Sequence, residues 1–388
     1  MAGGLAGRGT SLYKAWFAEN ERRGRYVQKD VVSRELLYHE DLEVGRPYLS
    51  AAQTVTAEDI IAFGCAYDPQ PMHVDAEAAK ATIVGGLCAS GYHICVIMMR
   101  LVCDAVLNRV ASLGSPGVDE VKWLKPLQPG ASVHCSYRIE EKRVLKSRPD
   151  VGASKVLVEL LDANDAVIAT WVTNQFTRLR APNHAARLSP SQRQDQRRVQ
   201  AEAQREAKAP LNLWQGTPPG PLASKPDLFF EDREVGEIFD LGRHDFSKDS
   251  IIAFARSWDP QPFHLDEAAA KASLFGALAA SGWHTAALYI RNLVAARQRA
   301  SAAARAEGIA LASYGPSPGF KNLSWPRPVL VGDTVEYRAR LAAKIDLKSR
   351  PNRGLLILTS QGRNQKGEIV FGITSQILCE RRQPYRAQ

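Results

Sequence analysis

Residues 66–93 read AYDPQPMHVDAEAAKATIVGGLCASGYH and residues 257–284 read SWDPQPFHLDEAAAKASLFGALAASGWH; sixteen of these 28 positions are identical at a constant offset of 191. The correspondence extends upstream, where Glu43-Val44-Gly45 answers Glu234-Val235-Gly236 and Ile60-Ile61-Ala62-Phe63 answers Ile251-Ile252-Ala253-Phe254. Downstream the offset becomes 202: Trp123, Pro126 and Gly130 answer Trp325, Pro328 and Gly332, and Leu145–Pro149 answers Leu347–Pro351. The change of offset places an 11-residue insertion in the second copy, around Ala300–Ala312. A period this long marks a duplicated domain, because solenoid units recur every ~20–50 residues.

Each copy reads as an α+β unit. Thr56 and Ser247 are N-cap candidates for helices ending near Tyr67 and Trp258. Asp-Pro-Gln-Pro then breaks the helical pattern, since each proline pushes the residue before it toward extended backbone. A short helix resumes at Asp75–Lys80, a turn follows at Gly85-Gly86 (Gly276-Ala277 in the second copy), and a long apolar helix runs from about Ala89 to Asn108 and from Ala280 to Ala296 or beyond. Alternating, β-branched segments come next: Ser132–Arg143, Lys155–Leu161 and Val167–Arg178, answered by Thr334–Lys344, Leu355–Gln361 and Ile369–Leu378. Asn164-Asp165 and Lys366-Gly367 read as hairpin turns. The expected layout is one long buried helix against a largely antiparallel sheet, twice. The expected units are an N-terminal extension over 1–37, a first domain over 38–180, a charged then Pro-rich linker over 181–228 and a second domain over 229–384. Leu12–Val27 is expected as a short helix anchored by Trp16 and Phe17, Ser189–Ala209 as a solvated helix and Thr217–Pro226 as an extended tether.

Composition narrows the function. Of 388 residues, 45% are hydrophobic and 23% charged, which excludes a disordered or fibrous chain. The net charge of +9 is scattered, and no basic segment is interleaved with aromatics, so no nucleic-acid partner is expected. A positive surface equally suits a small ligand that carries phosphate. The most apolar stretch, Ile94–Leu107, is interrupted by Arg100 and Asp104, so no membrane association is expected. The N-terminus lacks an apolar signal core, and the expected location is the cytoplasm. Six cysteines contain no CxxC pair, so no metal site is expected and reduced thiols are.

A helix, then D-P-Q-P-x-H-x-D, then G-x-L-x-A-S-G opening a long buried helix, then a β-meander, resembles the MaoC-like dehydratases, relatives of the (R)-specific enoyl-CoA hydratases. The resemblance covers about 38–180 and 229–381. It implies two fused hot-dog domains, each a long helix wrapped by a curved antiparallel sheet, forming an intrachain pseudo-dimer with the substrate along the seam. A homodimer of the fused chain stays open. The implied activity is hydro-lyase chemistry on an acyl-CoA, with coenzyme A entering as part of the substrate and no separate cofactor. Asp68 with His73 and Asp259 with His264 stand where the family has its catalytic pair, and Gly86 and Ala277 where a backbone amide serves as oxyanion donor. Gln70 and Gln261 replace the family's Asn, and Gly85-Gly86 and Gly276-Ala277 replace its His-Gly pair. These departures bear on substrate range.

The residue types suit that chemistry. Adding water across a double bond conjugated to a thioester needs a group that takes a proton from water, a group that returns one to the α-carbon, and a donor for the thioester oxygen. A carboxylate and an imidazole can share one water, and the start of the long helix offers backbone N–H groups. Gln70 and Gln261 could contact substrate or hold their turns. Arg148 and Arg350, in Lys-Ser-Arg-Pro segments, could meet coenzyme A phosphates or be solvated turn residues. His93 and His284 are expected as hydrogen-bonded core residues, because no acidic orienter accompanies Ser90 and His93 as a nucleophilic pair. Trp123 and Trp325 are expected in the core. Ala277 is expected to narrow its site or shift its turn, making the Asp68/His73 site at least as active as its copy. A hot-dog thioesterase and a non-catalytic acyl-CoA-binding module are the alternatives.

Overall fold

The computed structural model describes residues 35–180, 212–215 and 222–385. The helices expected at Leu12–Val27 and Ser189–Ala209, and the first part of the tether expected at Thr217–Pro226, lie outside the described residues. The first copy contains helices α1 (Ala57–Tyr67), α2 (Pro71–Val74), α3 (Ala76–Lys80) and α4 (Gly91–Ala105). The second contains α5 (Lys248–Trp258), α6 (Pro262–Leu265), α7 (Glu267–Ala272) and α8 (Gly282–Ala306).

Caps set these boundaries. Thr56 Oγ1 accepts from the Asp59 amide (3.2 Å) while Asp59 Oδ2 accepts from the Thr56 amide (3.0 Å), closing a capping box at α1. Ser247 caps α5, and Asp75 and Asp266 cap α3 and α7. The Asp-Pro-Gln-Pro turn is not wholly extended. Gln70 and Gln261 are extended, but Pro71 and Pro262 open the one-turn helices α2 and α6. Proline suits the first helical position, where its missing N–H goes unused.

Twelve strands make one sheet: β1 (Pro47–Leu49), β2 (Gln53–Thr54), β3 (Ser112–Gly114), β4 (Gly117–Trp123), β5 (Ser132–Leu145), β6 (Arg148–Asp162), β7 (Val167–Arg178), β8 (Ile238–Asp245), β9 (Gly319–Ser324), β10 (Thr334–Asp346), β11 (Arg353–Asn364) and β12 (Ile369–Glu380). Their order is β1-β5-β6-β7-β4-β9-β12-β11-β10-β8, with β2 on β5 and β3 on β7. Strict alternation of burial along β11 shows one face of the sheet turned to the core. The hairpins at Asn164-Asp165 and Lys366-Gly367 join β6 to β7 and β11 to β12, with Asp165 at φ 60° and Gly367 at φ 80°.

The two halves join through β4 and β9, antiparallel, with Val118 opposite Leu323 and Val121 opposite Phe320. Any Cβ at Gly117 would run into the Leu323 carbonyl oxygen, and one at Gly319 into that of Val121. Glycine therefore permits the close approach of these strands. Beneath the sheet the helices reciprocate: Phe63 of α1 meets Trp258 of α5 edge-on (6.0 Å), and Tyr67 meets Phe254 (5.8 Å). This is the expected intrachain pseudo-dimer. The Gly91–Arg109 stretch is long and apolar enough to cross a membrane by composition, yet it serves as the core helix of the first half, packed on β5 and β6.

The insertion has a simple structural form. α4 has 15 residues and leaves helical geometry at Val106 (φ −142°, ψ −45°), whereas α8 continues to 25 residues through an Ala/Arg-rich segment. Gly308 (φ 77°) follows just beyond the α8 C-cap.

Candidate active site

Asp68 follows α1 directly, as its C-cap, and accepts two side-chain hydrogen bonds. Ser90 Oγ donates to Oδ2 (2.5 Å) and Gln70 Nε2 to Oδ1 (2.9 Å). Ser90 is the N-cap of α4 and its hydroxyl oxygen also accepts from the Tyr92 amide (3.2 Å). The carboxylate is thus tied to the positive end of a fifteen-residue helix.

His73 lies on the helical turn that Pro71 opens. Its Nδ1 donates to the Cys88 carbonyl oxygen (2.8 Å). A carbonyl only accepts, so the neutral ring carries its proton on Nδ1 and presents the Nε2 lone pair. Nε2 stands 3.7 Å from Asp68 Oδ2, beyond direct hydrogen-bond length. Both residues are buried, Asp68 at 3% and His73 at 8% exposure.

The second copy repeats each contact. Ser281 Oγ donates to Asp259 Oδ2 (2.6 Å), Gln261 Nε2 to Oδ1 (2.9 Å), and His264 Nδ1 to the Ala279 carbonyl (2.8 Å). His264 Nε2 is 3.5 Å from Asp259 Oδ2. The histidine's anchor is a backbone carbonyl, which explains why Cys88 can answer Ala279 without loss of geometry. Burial, then the Asp68 charge, pushes the Cys88 thiol up to about 11, so it is no ready nucleophile.

Two other expectations are corrected, the place of Gly86 and Ala277 and the hydrogen bonding of His93. Gly86 and Ala277 do not sit at the helix start; they lie four residues ahead of the N-caps Ser90 and Ser281, in the preceding turn. A Cβ on Gly86 would meet nothing within 4 Å, so the first copy has room for the methyl that Ala277 carries at the matching position. His93 is buried as expected, but neither of its ring nitrogens has a hydrogen-bond partner among the described residues. It stacks on Phe63 at 4.5 Å, and His284 stacks on Phe254 at 4.4 Å. Burial lowers both to about 3, so they act as neutral flat rings. Ser90 serves Asp68 and takes no part in a Ser/His pair. Arg148 at the β5–β6 hairpin is engaged by Asp150 (2.9 Å, both contacts), and Arg350 is an exposed turn residue. Trp123 and Trp325 pack under the helix starts, where Gly91 and Gly282 leave room for their indoles.

The halves differ around this shared geometry. A cavity of about 770 Å³ adjoins the first site, lined by Gln70 and Ile83 from the first copy and by Arg297, Gln298 and Arg305 from the extension of α8. Gln298 Nε2 donates to the Pro69 carbonyl (2.8 Å), next to Asp68 in sequence. At the second site Gln261 and Pro260 are buried, and Cys103 Sγ approaches Asp259 Oδ1 at 3.6 Å. Sequence reasoning missed Ser90, Ser281, Arg297 and Gln298 in these places. The available signals were the repeated Ala-Ser-Gly and the insertion itself. Among the described residues no group of three or more His, Cys, Asp or Glu is placed to hold a metal ion.

The MaoC like domain matches twice, over residues 41–160 and 232–355, together more than half of the chain. The chain belongs to the MaoC-like family. It is 26% identical to Protein MaoC of Klebsiella aerogenes over 142 residues, 36% of this chain and 42% of that protein, so it spans less than half of that relative's length. It is 30% identical to 3-hydroxybutyryl-CoA dehydratase of Methylorubrum extorquens over 128 residues, 32% of this chain and 69% of that one. A MaoC domain protein of Chloroflexus aurantiacus superposes with a TM-score of 0.69 at 14% identity, covering 91% of this chain and 100% of that one. A protein of Mycobacterium tuberculosis with a double hot-dog fold gives a TM-score of 0.57 at 14% identity, over 89% and 98% of the chains. At that identity the superpositions speak for the fold: this MaoC-like chain is a double hot dog, α+β, with both domains in one sheet.

Proposed function

We propose that this MaoC-like protein is a hydro-lyase that adds water to a 2-enoyl-CoA thioester, or removes it from a 3-hydroxyacyl-CoA, at an Asp/His pair. The observation that carries the reading is the pair itself. Asp68 and His73 point two acceptors, Oδ2 and Nε2, at one gap of 3.7 Å, and Asp259 and His264 do the same across 3.5 Å. A water in that gap gives a proton to each acceptor's hydrogen bond and turns its oxygen lone pair toward the β-carbon.

The steps balance. The water oxygen bonds to the β-carbon as the conjugated π pair moves onto the thioester oxygen. The water's proton passes to the Asp/His pair. The pair returns one proton to the α-carbon as the enolate collapses, and its own protonation is restored. Ser90 and Gln70 keep the carboxylate oriented throughout, and the Cys88 carbonyl keeps His73 in the required tautomer. The Gly86 and Ala277 amides are the proposed donors to the thioester oxygen. The scheme uses protein groups alone, with coenzyme A as part of the substrate. The named activity of the Methylorubrum relative supports it.

The test is crotonyl-CoA hydration by the purified full chain, followed as loss of the conjugated thioester absorbance with free thiol measured in parallel. Hydration with the thioester intact is expected. Thiol release without hydration would replace this reading with a thioesterase, and saturable binding without either would leave an acyl-CoA-binding module.

A further inference from the structure

The ten extra residues of α8 bring a group of cations to a site that belongs to the other half of the chain. Arg297 is the innermost of them. Its Nε donates to Asp227 Oδ1 (2.7 Å), its guanidinium lies 4.5 Å over the Tyr314 ring, and its side chain is 15% exposed. Burial opposes its charge, but Asp227, and at longer range Asp68, hold its pKa above the usual arginine value. Arg305, two turns further along α8, and Arg353, tied to Ser313, complete the cationic lining. Among the described residues the same cavity sets one carboxylate, Asp227, against these three arginines. Gln70 belongs to the cavity wall and also donates to Asp68, so the cationic cavity is one hydrogen bond away from the proposed acid–base pair. At the offset of 191, Val106 stands in the first copy where Arg297 stands in the second, and Val106 is fully buried. Among the described residues α4 has ended before that position, and its own buried cation near the second site, Arg100, is engaged by Asp104 (2.8 Å) and the Arg256 carbonyl (2.8 Å).

A cavity with excess positive charge, walled partly by protein, favours an anion over a neutral chain. Arginine is the side chain whose planar fork matches carboxylate and phosphate oxygens. We infer that Arg297 is an anion-recognition residue of the Asp68/His73 site alone, seating a negatively charged group of the thioester substrate, either a carboxylate at the far end of the acyl group or a phosphate of the coenzyme A. This rests on the thioester reading above and adds to it which half is selective and for what chemistry.

The experiment measures binding, so that it does not depend on turnover. The full chain and Arg297→Met are titrated calorimetrically with three saturated thioesters: glutaryl-CoA, butyryl-CoA and butyryl-pantetheine, which lacks all phosphates. Loss of roughly tenfold or more in affinity is expected for the ligand carrying the recognised anion, in a binding class of one site per chain. Loss confined to glutaryl-CoA assigns the acyl carboxylate. Equal loss for both coenzyme A esters with none for butyryl-pantetheine assigns the phosphate. Equal loss for all three, or for none, overturns the inference. Arg297→Met with Asp227→Asn removes both charges and must show the same selective loss, which separates recognition from a stranded Asp227. Should neither variant fold, exposed Arg305→Ala must weaken the same ligand by a smaller factor, and no effect there overturns the proposal. Anion-dependent binding without hydration would sink the hydro-lyase reading and leave this one standing. Hydration with no dependence on Arg297 would do the reverse.

Discussion

Asp68 and Asp259 accept from the same two kinds of donor, a helix-capping serine and the glutamine two residues on. Their histidines hang from equivalent carbonyls at the same 2.8 Å. What separates the sites is the reach of the long helix from the opposite half. Near Asp68 that helix runs on, supplies Arg297 and Gln298, and helps wall a cavity of about 770 Å³. Near Asp259 it ends at Ala105, and Cys103 lies against the carboxylate. Duplication has kept the chemical groups, which are local, and allowed the surroundings, which come from the other copy, to diverge. Inequality between the sites is therefore expected to appear first in substrate access.

The largest effect should come from removing one pair at a time. Asp68→Asn with His73→Ala is expected to cost roughly a hundredfold in kcat/KM, in the range that acid–base catalysis contributes. Asp259→Asn with His264→Ala is expected to keep more than half of the activity. If each double variant instead retained about half, the sites would be equivalent and the cavity irrelevant to turnover.

Ser90→Ala should come next. It removes a charge-assisted hydrogen bond from a buried carboxylate, about 1.5–3 kcal/mol, or about one to two orders of magnitude if it falls on the transition state. Ser281→Ala should barely move total activity if the first site dominates. The measurement is kcat for both variants beside a melting curve for each. A kcat loss in Ser281→Ala equal to that in Ser90→Ala would reverse the ranking of the halves.

Much of this was legible in the sequence, for reasons that stay local. Thr56, Ser247 and the proline turns act within a few residues, so their helices end where expected. The pairing of Asp with His is readable because both lie in one short turn whose prolines limit its conformations. Ser90 was harder: Ala-Ser-Gly reads as a helix start, but the hydroxyl's bond to Asp68 spans 22 residues and is a tertiary fact. The seam strands β4 and β9 were missed because they are short and irregular, with a register shift between Val118 and Glu120 against β7. Their Gly117 and Gly319 look like breakers until two backbones are seen to meet there. His93 was expected to find a hydrogen bond. In a packed apolar site it stacks on Phe63 instead and remains neutral. The insertion was visible as a change of offset, but only the topology shows that it lengthens a helix toward the other half's site.

The core histidines offer a comparison in which the halves should agree. In the unfolded chain His93 and His284 titrate near 6.5, and in the fold burial holds each to about 3. Between those values the unfolded state binds more protons. Their contribution is fully present above pH ~6.5 and is lost as the pH falls toward 3. Each should account for about 2 kcal/mol of stability lost between pH 6.5 and 5. Urea midpoints across that range should flatten by similar amounts in His93→Leu and His284→Leu. A large difference between the two would show that the asymmetry of the sites extends into the helix core.

The smallest effect should be that of Gly86→Ala, which copies the residue of the second half into the first. From sequence, this difference was the obvious source of inequality, since a methyl beside an oxyanion donor can crowd a site. In the structure the added Cβ meets no atom within 4 Å, and Gly86 does not require the left-handed backbone that Gly85 adopts at φ 75°. A surface-like substitution with neither strain nor clash stays within about 0.5 kcal/mol. Melting temperature and kcat/KM should both match wild type. Gly85→Ala, one residue earlier, should destabilise the same turn, because alanine tolerates that φ poorly. If Gly86→Ala instead lowered kcat without touching stability, the backbone at this position would approach the substrate more closely than free space around it suggests. The weakness of the second half would then trace to Ala277 and not to the short reach of α4.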